Sequence, residues 1–363
     1  MNTDFMTFPL LGEFGFLANK ENAIKVADGT YQPPEGTSEY ARDFLAACKQ
    51  LQTIKNLPEV CLEVTPQENK AGWRKMKEKT AAATGPLCLN FSHYKIASTD
   101  TTVNKIETFL RNIPTEFEVR PDGYERIVDL PILKRSGVKH IDGMRAIQLK
   151  HAQFNMINKT LGRRMMYRAE SAKALSTEQY GSRKKRKAIS CCLSKTCFLD
   201  LLRQKRRAGA IGMNDLKGNY DRIVHTVAIL VLLSFGLHYE SARFLMEVLQ
   251  VAEHCIKTGF GVSQPLYGGY KQGEAPEMGL GQGNGNAPTI WCLISSRMMD
   301  TMRNRGHSLD VKASLSLTLL SFVCFAFVDD TDIPVIAPSS DVTGEEVAPV
   351  CLLYTSPSPR DRG

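Results

Sequence analysis

Residues 319–333 read Leu-Leu-Ser-Phe-Val-Cys-Phe-Ala-Phe-Val-Asp-Asp-Thr-Asp-Ile, and no other stretch restricts the fold as much. An apolar run enters, two adjacent carboxylates follow, and a short apolar run over residues 333–337 leaves. This pattern predicts a strand–turn–strand hairpin with acids at its tip. Neighbouring anions at the end of a buried strand repel one another and lose hydration. A divalent cation would relieve both costs, which makes Asp329 and Asp330 candidate metal ligands. Taken alone, the tetrapeptide Phe327-Val328-Asp329-Asp330 also fits a solvated turn.

A chain of 363 residues is long enough for two ordinary domains. Its 43% apolar share supports a sizeable core and argues against global disorder. The net charge of +8 suits a polyanionic partner without requiring one. Ten cysteines include no CxxC pair. Cys191, Cys192 and Cys197 cluster without nearby histidines and read as reduced thiols rather than zinc ligands. No basic segment followed by a long apolar core opens the chain. The longest apolar runs, 223–237 and 315–328, fall short of a membrane span. These features predict a soluble, intracellular protein of cytoplasm or nucleus, with no membrane partner.

Residues 1–65 carry one helical pattern, 40–54, and no assignable function. Residues 73–79 read as a cationic helix, and 85–95 as a loop that gathers His93, Tyr94 and Lys95. Over 101–113, Val103, Ile106, Phe109, Leu110 and Ile113 share one face of an amphipathic helix, with Asp100 as its cap and Pro114 after it. Residues 130–135 read as a strand entering a turn at Gly137. Residues 144–147 then lead to a helix bearing Phe154, Ile157, Leu161 and Met165. A hairpin here would place Lys134 and Arg145 on one side, where a point charge and a planar fork suit phosphate oxygens. Glu178 to Lys187 forms a loop with a basic run that could track a nucleic-acid backbone or serve nuclear import. The second basic run, 203–207, sits where a helix C-terminus favours cations.

Residues 208–213 are small and apolar, as in a buried strand, and deliver Asp215. Tyr220 and Asp221 follow, then an apolar helix over 223–233. Residues 241–258 read as a further helix closed by Gly259. Residues 268–285 are glycine-rich and end in Gly281-Gln282-Gly283 before a helix through Trp291 and Met298, with Asn286 as a candidate N-cap and Pro288 in the first turn. Such a loop admits a nucleotide or template backbone closely, but it is neither a P-loop nor a dinucleotide fingerprint.

The order Lys134, Arg145, Asp215, Gly281-Gln282-Gly283, then Phe327-Val328-Asp329-Asp330 resembles that of reverse transcriptases. The wording of Glu-Gln-Tyr-Gly-Ser-Arg-Lys (178–184), Tyr-Asp-Arg-Ile-Val-His (220–225), Gly-Gln-Gly-Asn-Gly (281–285) and Phe-Ala-Phe-Val-Asp-Asp-Thr-Asp (325–332) is similar to one group of retroelement polymerases. The resemblance covers roughly residues 70–335. It implies an α+β, right-hand polymerase with fingers over 66–205 and a partial palm, a small antiparallel sheet packed on helices, over 206–340. Residues 1–65 would be an N-terminal extension and 341–363 a disordered tail. Residues 351–361 resemble a translated sequencing adapter, which implies a natural frame cut near Val350 and a missing thumb.

The implied activity is RNA-directed DNA synthesis: a primer 3′-hydroxyl attacks the α-phosphorus of a deoxynucleoside triphosphate and pyrophosphate leaves. Two magnesium ions, or manganese in their place, would sit about 3.5–4 Å apart. Asp215 and Asp329 would bridge them, with Asp330 supporting because neighbouring strand residues alternate in direction. Lys134 and Arg145 would clamp the triphosphate. Gln282 and Gly283 would contact the template–nucleotide pair. Tyr220, five residues after Asp215, would exclude a 2′-hydroxyl, whereas RNA-dependent RNA polymerases usually carry an aspartate there. Implied partners are a primed RNA or DNA template and deoxynucleoside triphosphates. The fragment itself would be inactive without a thumb to hold the primer duplex. Two alternatives accompany this reading: an inactive nucleic-acid-binding derivative of the scaffold, and an RNA polymerase.

Overall fold

The computed structural model describes residues 2–7, 9–77, 82, 89–137, 140, 143–215, 218–264, 266–269, 271, 274–312 and 319–337. The tail over 341–363, with its adapter-like segment, lies outside them, as do 78–79 of the basic run and 85–88 of the segment expected to be a loop. No helix among the described residues is long and apolar enough to cross a membrane.

Among the described residues, seven α-helices open the chain, and strands and helices then intermix, which makes the fold mixed α+β. In chain order they are α1 (Leu10–Phe14), α2 (Lys20–Asp28), α3 (Glu39–Ala47), α4 (Gln52–Lys55), α5 (Pro66–Arg74), α6 (Phe91–Ala97), α7 (Thr101–Glu116), β1 (Arg126–Leu133), β2 (Met144–Leu149) and α8 (Ala152–Ser171). Then come α9 (Ala188–Lys205), β3 (Gly209–Asp215), α10 (His225–Ser234), α11 (Tyr239–Gln250), β4 (Glu253–Thr258), β5 (Gly261–Val262) and β6 (Tyr267–Gly268). The last are α12 (Ala287–Asn304), β7 (Leu309–Lys312), β8 (Leu319–Phe322), β9 (Phe325–Phe327) and β10 (Asp330–Ile336). They fall into two units, Met1–Ala174 with Tyr220–Ile290, and Leu175–Asn219 with Trp291–Gly363. These interleaved boundaries do not coincide with the linear divisions drawn at 65, 205 and 340.

In the first unit a mixed sheet runs β2-β1-β4-β5, with β6 also on β4. The β1–β2 hairpin is antiparallel, with Ile132 opposite Arg145, and β4 lies parallel to β1. α8 buries Phe154, Ile157, Leu161 and Met165. Every residue of α10 is buried, as suits a helix apolar on all sides. Residues 1–65 fold into this unit, with α2 packing on α10.

The second unit centres on an antiparallel sheet ordered β3-β10-β9. Strand alternation sorts its residues between two helices. Ala326 and Ile333 pack with Met299 of α12. Ile211, Phe325, Phe327 and Ile336 pack with Cys191, Phe198 and Leu202 of α9.

Several local readings need correction. Residues 253–258 are the strand β4, because the helix ends at Gln250, and the run of Cys255 and Ile256 finds edge partners on β1. His93, Tyr94 and Lys95 lie on α6, not in a loop. Residues 75–77 are not helical, since α5 ends at Arg74, and Trp73 is fully buried, stacked on Tyr94 at 4.8 Å. The pattern over 40–54 splits into α3 and α4. β3 is not fully buried, since Met213 is exposed. Asn286 does not cap α12 with its side chain, whose polar atoms have no partner among the described residues. α7 is capped by Asp100 as expected, through the Val103 N–H at 2.9 Å, but Pro114 falls inside its last turn and its apolar face points outward.

Candidate functional site

The pairing of β3 with β10 decides where the acids stand. Asp330 is the register partner of Asp215, and Thr331 that of Asn214. Directly opposed positions of an antiparallel pair share one face of the sheet, with Cβ atoms about 4.5–5.5 Å apart. Asp330 therefore stands on the same face of the sheet as position 215. Asp329 belongs to the turn joining β9 to β10 and is half-buried, while Asp330 is exposed. Two residues along, Asp332 is engaged by Lys195 of α9 at 2.6 Å. Lys195 thus neutralises the neighbouring acid of β10. Among the described residues no group of three or more His, Cys, Asp or Glu side chains is placed to hold a metal. Asp215 is described by its backbone alone.

The turn carrying Asp329 is strained and clasped. Val328 has φ of +61°, a region that a β-branched residue enters only under constraint, at a cost of about 1–3 kcal/mol. The constraint comes from Gln179, which is fully buried. Its Oε1 accepts from the Val328 N–H at 3.1 Å and from the Gly181 N–H at 2.8 Å. Its Nε2 donates to the Val328 carbonyl at 3.2 Å and to Ser295 Oγ at 3.0 Å. Trp291 Nε1 donates to the same Val328 carbonyl at 2.6 Å. Residues 178–180 lie along β9 like an added strand, the Ala326 N–H donating to Glu178 O at 3.1 Å and the Tyr180 N–H to Ala326 O at 2.8 Å. Gly181 is required by contact: a Cβ there would fall 2.2 Å from the Val328 nitrogen. Glu178 anchors the segment, accepting from Ser176 Oγ at 2.5 Å and pairing with Arg303. Burial pushes its carboxyl up, but the Ser176 hydroxyl and Arg303 more than offset this and hold it below its usual range.

Part of the basic run is committed to the same loop. Arg183 donates to Ser176 O at 2.6 Å, and Arg186 lies 5.1 Å from the Tyr180 ring centre. Lys184, Lys185 and Lys187 are exposed. Gln179, Gly181 and Trp291 escaped sequence reasoning as site residues. The only trace was that Gln179 and Gly181 fall within the 178–184 wording.

The remaining candidates all lie in the first unit. Lys134 follows β1, its N–H bonded to Gly143 O at 2.9 Å, and Arg145 lies on β2; both are exposed. Ile132 is the register partner of Arg145, and Lys134 lies one residue beyond the end of β1. The glycine loop runs beside β2. The Gln148 N–H donates to Gln282 O at 2.6 Å, and Asn155 Nδ2 to Gly283 O at 3.1 Å. Gly281 and Gly283 have φ of +71° and +112°, and a Cβ on Gly281 would overlap the Gln148 side chain. Tyr220 sits in a short 3-10 turn whose carbonyl accepts from the Leu280 N–H at 2.7 Å. Beneath the loop, buried Lys150 donates to Gln148 Oε1 at 2.6 Å, and burial pulls its ammonium down to about 7 against the pull of Asp129 and Asp221. Asp129 in turn accepts from His254 Nδ1 at 2.8 Å and from the Tyr267 hydroxyl. The structure thus gathers Asp215, Asp329 and Asp330 in one unit, and Lys134, Arg145, Tyr220, Gln282 and Gly283 in the other.

No protein-family model matches this chain, and no curated protein matches it significantly.

Proposed function

We propose that this chain carries the nucleotidyl-transfer site of a retroelement-type RNA-directed DNA polymerase. In this reading the β3-β10-β9 sheet with α9 and α12 corresponds to part of a palm, and the β1–β2 hairpin to part of the fingers. One observation carries the proposal: acids distant in sequence meet at a single hairpin tip, Asp215 opposite Asp330 with Asp329 in the adjoining turn. An all-carboxylate donor set at a sheet end suits a hard cation such as magnesium, which keeps several waters and needs few protein ligands. Asp215, Asp329 and Asp330 would hold it. Bound magnesium would assist deprotonation of a primer hydroxyl and stabilise a leaving phosphate oxygen.

The chain's own residues do the rest. Lys134 and Arg145 bind the triphosphate through charge and a planar fork. Gln282 and Gly283 present backbone and amide to the template–nucleotide pair. Tyr220 excludes a ribose 2′-hydroxyl. Gln179 and Trp291 hold the tip in the conformation that aims Asp329.

The test is magnesium-dependent extension of a DNA primer on an RNA template by a version of the chain continued past residue 350, with its Asp329→Asn variant beside it. Loss of several kcal/mol of transition-state stabilisation corresponds to a fall of about a thousandfold or more. Extension by the variant at the wild-type rate overturns the assignment.

A further inference from the structure

Gln148, near the end of β2, touches three consecutive residues of the glycine loop. Its N–H donates to Gln282 O at 2.6 Å, a Cβ on Gly281 would fall 1.6 Å from its Oε1, and a Cβ on Gly283 would fall 2.5 Å from its carbonyl oxygen. The amide oxygen therefore lies directly against the backbone at position 281, where only glycine leaves it room. That oxygen is fixed in turn by Lys150, whose ammonium donates to it at 2.6 Å. Lys150 is 1% exposed. Burying an ammonium is costly unless acceptors and opposite charges answer it. Here the carboxylates of Asp129 and Asp221 answer it. Asp129 is the register partner of Gln148, so the two share one face of the β1–β2 hairpin. Asp221 also accepts from the Gln282 N–H. Gln282 is thus held on both sides, by its carbonyl through Gln148 and by its N–H through Asp221.

We propose that Lys150 is a positioning residue for the glycine loop's contact with the template–nucleotide pair, acting through Gln148 and Asp221. The proposal rests on the polymerase reading, which gives Gln282 and Gly283 that contact. Lys150 is too deeply buried to touch a nucleotide itself, so its charge reaches the substrate only by way of the loop. One cation serves two partners. It orients the Gln148 amide beneath Gly281, and it balances the carboxylate that holds the Gln282 N–H. Without the ammonium, the Gln148 oxygen loses its donor, and Asp129 and Asp221 repel each other uncompensated. The loop then keeps its glycines but loses its fixed seat on β2. A loop already set in its binding geometry spares the cost of ordering it when substrate arrives. The loss therefore falls on nucleotide binding rather than on the chemical step.

Lys150→Met keeps an unbranched side chain and removes its charge. Amide hydrogen exchange on the full chain reads the loop without calling on any activity. We expect exchange over 280–283 to quicken about tenfold in Lys150→Met and in Gln148→Ala, with α8 and α10 unchanged, and no further in the double variant than in Lys150→Met. In the version continued past residue 350, either substitution should raise the KM for deoxynucleoside triphosphate about tenfold and leave kcat within about threefold. A merely destabilised protein would lose protection everywhere. Gln148→Ala, at a half-buried position, keeps both readouts available should Lys150→Met fold poorly. Exchange over 280–283 that is unchanged in both variants, effects that multiply in the double variant, or an unchanged KM in a chain that extends primers would overturn the proposal. Quickened exchange in a chain that extends no primer would overturn the polymerase reading, and with it Lys150's part in the reaction, while its support of the loop would stand.

Discussion

Val328 occupies a backbone region that a β-branched residue avoids, and Gln179 uses both ends of its amide to keep it there. Removing that amide leaves the Val328 and Gly181 N–H groups without their acceptor, each costing about 1–3 kcal/mol, while the Val328 carbonyl keeps Trp291 Nε1. We expect Gln179→Ala to lower unfolding free energy by about 2–4 kcal/mol in urea, and to reduce manganese affinity although Gln179 touches no ion. Unchanged stability would show that the clasp carries no energy. At this scale the hairpin was legible, because an apolar run, two adjacent aspartates and a second apolar run predict strand–turn–strand, which β9 and β10 form. Gln179 was not, since its role arises from contacts with residues far along the chain, at Ser295 and Val328. The rating of Asp330 as a supporting ligand rested on alternation after Asp329, and the register of β10 on β3 is a separate fact. Alternation along one strand says nothing of which residue stands across the ladder.

Elements were legible where a cap or period was strong. Asp100 set the start of α7, and the apolar spacing set α8. What the period of α7 could not reveal was which face turned inward, because that depends on hydrogen-bond partners for Glu107 and Arg111 supplied by Asn69, Trp73 and Thr160 elsewhere in the chain. The residues over 253–258 read as a helix because Cys255 continues the apolar spacing of α11; pairing with β1 overrode it. The inverted helix makes an unusual expectation. Arg111 is buried, and burial pulls its guanidinium down to about 10 despite Glu107. Breaking such a buried, hydrogen-bonded ionic network costs about 3–5 kcal/mol, so Arg111→Ala should destabilise by that order in urea unfolding. Ile106→Ala, on the exposed apolar face, should change the stability of dilute protein by less than about 0.5 kcal/mol. The reverse ranking would mean that the apolar face is the buried one.

At the scale of the whole chain, two units interleave in sequence. The α+β class that the resemblance implied agrees with the mixture of helices and small sheets, but linear boundaries could not anticipate that β3 and β10, far apart in sequence, share one sheet. The same interleaving brings Asp215 to β10. The charge of +8 is compatible with a nucleic-acid partner and does not choose one. The central claim is that the acids of β3 and of the β9–β10 tip form one divalent-cation site. Manganese titration followed by electron paramagnetic resonance tests it on the wild type, Asp215→Asn and Asp329→Asn. We expect saturable uptake by the wild type and at least a tenfold loss of affinity in each variant. Uptake that is absent from the wild type, or equal in all three proteins, would contradict it.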